Sequence, residues 1–162
     1  VIHCAGNTRN QSILSMTPND WRDVRRVHLD AGYRIARGAH PNMSHGSAKP
    51  GHLLFISSLV GIRGGRGQSN YAAAKSGLIG LTFSLAREWA PGVNVNAIRP
   101  PLTGSAMTDS IPENRFNDVM NPVLTDDMAP PEQTAQLVEH VIDQPELTGQ
   151  LLSADHRVRG PW

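Results

Sequence analysis

LLFISSLVGIRGGRGQSNYAAAKSGLIGLTFSLAREW, residues 53–89, decides how the rest of the chain is read. Leu53–Ser57 is apolar on consecutive positions, the pattern of a parallel strand covered on both faces. A glycine-rich loop, Gly61 to Gly67, follows. From about Ser69 to Ala90 the pattern turns helical, with Leu78, Leu81, Leu85 and Trp89 on one stripe. Ala72–Ala74, Ile79 and Phe83 widen that apolar arc beyond what one sheet face requires. Ser58 stands at the end of the strand. Tyr71 and Lys75 stand four residues apart near the helix start, so they share a helix face.

Upstream, Val1–Ala5 is a short apolar strand that stops at Gly6. Asn7–Thr17 is a polar loop. Thr17 as N-cap and Pro18 in the first turn open a helix. Trp21, Val24, Val27 and Ile35 carry that helix to about Ala39, and Gly32 weakens its middle by about 1 kcal/mol relative to Ala. Pro41–Gly51 is a loop. Downstream, Pro91-Gly92 ends the long helix, and Val93–Ile98, alternating with Asn, is a third strand. Arg99–Pro131 contains six prolines. A connection of that length is more often a functional lid than a linker, and we place the lid at about 102–130. Glu132–Asp143 is an amphipathic helix and Gln150–Ser153 a last strand. The order β-α-β-α-β-lid-α-β predicts an α/β fold with a Rossmann-like, doubly wound parallel sheet.

A tyrosine pKa is about 10 and a lysine pKa about 10.4, and a nearby ammonium favours the phenolate. A tyrosine tuned toward neutrality is a competent general acid for a developing alkoxide. The Ser58 hydroxyl can hydrogen-bond the same oxygen as charge builds. Neither group supplies electrons, so carbonyl reduction at this site requires a hydride carrier. Tyr-x-x-x-Lys alone arises by chance in roughly 0.3 of chains this long, so its context must carry the reading.

That context resembles the short-chain dehydrogenase/reductase family, closest in flavour to the β-ketoacyl-carrier-protein (3-oxoacyl-ACP) reductases. The residues are Ile56-Ser57-Ser58, the run Gly67 to Gly77, Ser84–Glu88 and Val95–Ile98. His3-Cys4-Ala5-Gly6 stands at the family's Asn-Asn-Ala-Gly stretch, and Thr148-Gly149-Gln150 at its closing strand. The resemblance covers essentially all 162 residues. It implies one partial Rossmann domain over residues 1–162, equivalent to strands four to seven of the family. It further implies an NAD(P)-dependent oxidoreductase that reduces a ketone, with a 3-oxoacyl thioester the leading substrate. Ser58 then polarises the carbonyl, Tyr71 donates the proton, and Lys75 lowers the tyrosine pKa and holds the nicotinamide ribose. His3, Ala5, Gly6, Pro100, Leu102, Thr103 and Ser105 fall at cofactor-contacting positions, with NADP or NAD as the cofactor. The helices at 18–39 and 69–90 match those that pair across the family's dimers, which implies a homo-oligomer. Acyl carrier protein is the implied partner.

Several residues depart from the family pattern. Its fourth catalytic residue, an Asn, falls on His28. Imidazole can hold water and pass protons, so the relay either survives in another form or is lost. Pro101 replaces a Gly, and proline offers neither φ > 0 nor an N–H. Cys4 is assigned to strand packing. The opening strand, Gly-rich turn, helix and strand that bind pyrophosphate do not occur in the sequence. Gly65-x-Gly67 does not substitute for them, because Asn70 stands where the third Gly is needed. We therefore expect the chain to be part of a longer protein, to bind cofactor poorly alone, and to leave Val1–Ala5 as an open, association-prone sheet edge. The rival expectation is a non-catalytic fragment or pseudoenzyme that acts as a dimerising or partner-binding module.

The net charge of +1 predicts neither nucleic-acid nor membrane binding. No apolar run approaches the ~20 residues that span a bilayer. Cys4 is the single cysteine, so no intrachain disulfide can form, which fits a reducing, cytoplasmic setting. None of the seven histidines pairs at i,i+4 with a nearby acid, and no metal site is expected. Arg63 and Arg66 flank the glycine loop, as solvated charges or as ligands for a phosphate or acidic substrate.

Overall fold

The computed structural model describes residues 1–43, 49–109, 111 and 128–154. A four-stranded parallel sheet holds them together, with strand order β1 (Ile2–His3), β2 (Gly51–Ile56), β3 (Val93–Arg99) and β4 (Leu151–Ser153). The helices are α1 (Pro18–Arg25), α2 (Ala31–Met43), α3 (Val60–Arg63), α4 (Ser69–Trp89), α5 (Ala106–Asp109) and α6 (Pro131–Ile142). A π-helical turn, Arg26–Asp30, joins α1 to α2. The fold is the expected doubly wound α/β sheet.

Alternation along the strands divides the core. Leu53, Phe55, Val93, Val95 and Ala97 face α2 and α4, where they meet Ala36, Leu78, Leu85 and Ala86. Leu54 and Ile98 face the other way, onto Val141 with Leu137 and Val138 of α6. Consecutive apolar residues in β2 thus serve two layers. Burying a side chain such as Phe55 fully stabilises the fold by about 1.5–3 kcal/mol.

Asn94 and Asn96, which alternate with these apolar residues in β3, are also buried. Their amides replace ladder partners in the segment leading to β4. Asn94 Nδ2 donates to the Pro145 carbonyl at 2.8 Å, and Asn96 Nδ2 to the Leu147 carbonyl at 2.7 Å. Asn96 Oδ1 accepts from the Gln150 N–H at 2.9 Å. The Thr148 hydroxyl accepts from the Val95 N–H at 3.0 Å. Buried polar groups are tolerated here because each is matched.

Local chemistry sets the helix ends. Thr17 and Asp20 form a reciprocal capping box at the start of α1, with Pro18 in the first turn. The continuous helix expected to Ala39 is interrupted by the π turn and then runs on to Met43, with Pro41 inside its last turns. A Cβ on Gly32 would lie 2.7 Å from Leu78, so this glycine lets α2 approach α4 and is more than a weak point. β1 is shorter than Val1–Ala5. The short helix α3 falls in a loop where sequence gave no helical period. Of the lid expected at 102–130, residues 110 and 112–127 lie outside the described residues. Its first part contains α5. Among the described residues, no helix is long and apolar enough to cross a membrane, and no cluster of three or more His, Cys, Asp or Glu could hold a metal ion.

Candidate active site

A cleft of about 980 Å³ opens at the C-terminal ends of β1, β2 and β3. In parallel α/β sheets this edge is where ligands bind. Ser58 enters it from the end of β2, and Tyr71 and Lys75 from the first two turns of α4. His28 enters from the π turn.

Asn70 holds this arrangement. Its side chain is buried, and Nδ2 donates to the carbonyls of Arg9 at 3.0 Å and Asp20 at 3.3 Å. Its Oδ1 accepts from the Tyr71 N–H at 2.7 Å, one of the free donors at the start of α4. One amide thus ties the loop after β1 and helix α1 to the turn that carries Tyr71. Gly61 sets a second approach. A Cβ there would stand 2.8 Å from the Lys75 Cβ, and the Ser76 hydroxyl donates to the Gly61 carbonyl. Helix α3 therefore lies directly on the turn that carries Lys75.

The Tyr71 phenol and the Ser58 hydroxyl line the same cleft. Burial pushes the phenol pKa up, and the nearby Ser58 hydroxyl offsets this only in part. The expectation that Lys75 lowers it is not met in this geometry. The ammonium lies over the ring face, 5.5 Å from its centroid, and donates to the Ile56 carbonyl at 2.6 Å. Burial lowers the Lys75 pKa to about 8, with Cys4 acting weakly the other way. The pair can therefore present a protonated phenol beside a readily discharged ammonium.

His28 is fully buried. Its Nε2 lies 3.1 Å from the Asn7 N–H nitrogen and 2.9 Å from the Asn7 carbonyl oxygen, and its Nδ1 has no protein partner. Burial, with Lys75 nearby, lowers its pKa to about 4. The ring is neutral near pH 7 and holds the loop after β1.

Of the residues assigned from sequence, Ser58, Tyr71, Lys75, His28, Gly6, Pro100, Leu102, Thr103 and Ser105 line one cleft. His3 and Ala5 are not among the residues lining it. The His3 ring is turned inward, donating from Nε2 to the His28 carbonyl at 2.9 Å and packing edge-on against Phe55. Cys4, assigned above to strand packing, is exposed and lines the cleft instead. Strand alternation explains the exchange: with His3 facing the core, its neighbour faces out. The Ser105 hydroxyl accepts from the Thr108 N–H at 3.2 Å, and the Ser105 N–H donates to the Thr108 hydroxyl at 2.8 Å, a reciprocal cap on α5. Gln68, Met107 and Thr108 also line the cleft and were not singled out. Nothing in residue type marked them. Only their place beside the glycine loop and after Pro100-Pro101 could have done so.

The model of the short chain dehydrogenase family matches residues 1–115. The chain belongs to the short-chain dehydrogenase family. It is 32% identical over 158 residues to the 3-oxoacyl-[acyl-carrier-protein] reductase FabG of Chlamydia trachomatis, covering 96% of this chain and 63% of that protein. It is 33% identical over 161 residues to the rat (3R)-3-hydroxyacyl-CoA dehydrogenase, covering 99% of this chain and 61% of the relative. Among solved structures, a short-chain dehydrogenase/reductase from Burkholderia xenovorans matches with a TM-score of 0.82 at 26% identity, over 96% of this chain and 63% of that one. The chain thus spans a little over three-fifths of the length of the relatives it matches.

Proposed function

We propose that this family member provides the proton-transfer half of an NAD(P)-dependent ketoreductase site, converting a ketone to a secondary alcohol. The convergence of Ser58 and Tyr71 in one cleft, with the Lys75 ammonium 5.5 Å from the tyrosine ring centroid, is the observation that carries this reading. Two hydroxyls that line one cleft can both meet one carbonyl oxygen. Ser58 orients that oxygen, and Tyr71 delivers the proton as alkoxide charge builds. The raised phenol pKa keeps the proton in place until that charge develops. Lys75 contributes a positive charge beside the phenol.

Gly6, Pro100, Leu102, Thr103 and Ser105 line the cleft beside these groups, at the sheet edge where dinucleotides bind. Their placement fits the nicotinamide end of NADP or NAD, and Lys75 is the residue we assign to its ribose. When bound, that cofactor supplies the hydride. His28 is assigned to position the loop after β1. The names of the two relatives above support a 3-oxoacyl thioester as substrate, with acyl carrier protein or coenzyme A as its carrier. Tyr33 and Phe83, apolar and exposed on α2 and α4, support association through these helices.

The test is ketone reduction by the longest natural form of the protein and by its Tyr71→Phe variant. Loss of the phenol should slow reduction by about 10²–10⁴-fold. An unchanged rate would remove Tyr71 as proton donor.

A further inference from the structure

The buried amide of Asn70 does more than a helix start requires. Its Nδ2 donates to the Arg9 and Asp20 carbonyls, and its Oδ1 accepts from the Tyr71 N–H. These partners fix the amide's orientation, because the reversed amide would set its oxygen against two carbonyls. Capping the start of a helix needs only an acceptor, which Ser, Thr or Asp would also supply. Among short side chains, only the amide of asparagine carries two donors and an acceptor. We propose that Asn70 is a positioning residue for proton transfer, setting the Tyr71 phenol in register with the loop after β1. What the phenol does there rests on the ketoreductase reading; the tie itself rests on the three hydrogen bonds.

Both ends of the tie lie at the cleft. Gly6, three residues before Arg9, lines it, and so does Tyr71. Asn70 holds the Tyr71 backbone, while the Tyr71 ring packs with Val24 and Ala74 and lies edge-on to His28. Val24 and His28 follow Asp20 along α1 and the π turn. The bond to the Asp20 carbonyl therefore anchors the same run of helix that supplies these ring contacts. His28 in turn meets the Asn7 backbone, which returns the connection to the loop after β1. A second side-chain link between this loop and the segment before α4, from Gln68 Nε2 to Asn10 Oδ1 at 3.3 Å, is exposed. An exposed bond is exchanged for one to water when it opens, whereas a buried amide is left unpaired. Asn70 is thus the member of this set that holds the loop and the tyrosine to one geometry. Misplacing a reacting group by about 1 Å costs on the order of 100-fold in rate. Loss of the tie should therefore be felt in the chemical step and not in substrate binding.

The test compares the full-length wild type with Asn70→Asp. A carboxylate keeps an acceptor for the Tyr71 N–H, at a helix start where negative charge is favourable, and offers no donor to the Arg9 and Asp20 carbonyls. If Asn70 only caps α4, Asp replaces it well. We expect instead that kcat for ketone reduction falls about tenfold or more while KM stays within about twofold of wild type. Asn70→Ser, which caps but is too short to span both carbonyls, should show the same split, and it decides the matter if the Asp variant does not fold. A second readout needs neither cofactor nor substrate. In protein labelled with fluorotyrosine, the fluorine NMR resonance that Tyr71→Phe removes belongs to Tyr71. It should move or split in the Asn70 variants while the other tyrosine resonances keep their positions. Wild-type kcat in the Asp variant, a loss confined to KM, an unmoved Tyr71 resonance, or failure of both Asn70 variants to fold by circular dichroism would each overturn the proposal. A wild type that reduces no ketone would remove the ketoreductase reading, and the fluorine resonances would then decide alone whether Asn70 positions Tyr71.

Discussion

The imidazole of His28 meets the phenol ring of Tyr71 edge to face, with centroids 5.2 Å apart and planes at 88°. A π-helical turn and the first turn of α4 are thereby joined at the point where the candidate proton donor sits. The contact places a titratable ring in full burial with no counter-ion. Its pKa falls from the ordinary 6.5 to about 4.

Stability should therefore fall in mild acid. Between the two pKa values the unfolded chain takes up a proton that the folded chain refuses, so unfolding becomes easier as pH drops. From about pH 7 to about pH 5 the contribution lost is about 2 kcal/mol. Urea unfolding of the wild type and of His28→Asn at both pH values measures it. The variant should lose about 2 kcal/mol less than the wild type over this interval. Equal losses would show that His28 is not the group refusing the proton.

Lys75 sets stability against activity. Its folded pKa of about 8 lies below the ordinary 10.5, so folding works against the charged form. Over that window the unfolded chain again holds more protons, and stability rises with pH. Ketone reduction should move in the opposite direction, falling as pH climbs through about 8 and the ammonium discharges. Lys75→Met should unfold about 1–2 kcal/mol harder than wild type at neutral pH while reducing ketones far more slowly. A variant less stable than wild type at neutral pH would contradict the burial argument.

Gly61 admits no side chain. A methyl placed 2.8 Å from the Lys75 Cβ has backbone as its next neighbours, with the Lys75 carbonyl carbon at 3.0 Å and the Ser76 nitrogen at 3.1 Å. Gly61→Ala must push α3 away from α4. We expect a loss of about 1–3 kcal/mol in thermal or urea unfolding. Gly80→Ala, with open space at the same position, is the control and should be neutral or mildly stabilising.

The sheet and its long helices could be read from sequence because their periodicities are strong. Leu53 to Ile56 is apolar without a break, and α4 starts at Ser69 as read. The capping box at Thr17 and Asp20 was foreshadowed by Thr17 and Pro18. What escaped was decided across space. The π turn depends on His28 fitting beside Tyr71 and under Gly6, where a Cβ would come within 2.9 Å of the ring. The His3–Cys4 exchange turned on which of two adjacent side chains faced the core, a choice that a two-residue strand announces weakly. Helix α3 is a single turn, too short for a period to emerge. The site residues found by resemblance converge on one cleft. Those missed, such as Gln68 and Thr108, carry no chemistry distinctive enough to flag in isolation.

The π turn at Arg26–Asp30 also fixes how residues on its two sides are phased. One surplus residue lets Val24 and Ala36 each point inward although a regular helix through both would hold them at another angle. Removing that surplus residue would leave a regular helix that still turns both side chains inward, about 20° apart. Adding a further residue would instead rotate the upstream half by about 100° relative to the downstream half. Val24 would then swing out of its contact with Tyr71 and Ala74, and the Asp20 carbonyl would leave Asn70. The count of residues between Trp21 and Tyr33 is thus itself an encoded quantity, and an insertion there should be less forgiving than loss of the surplus residue.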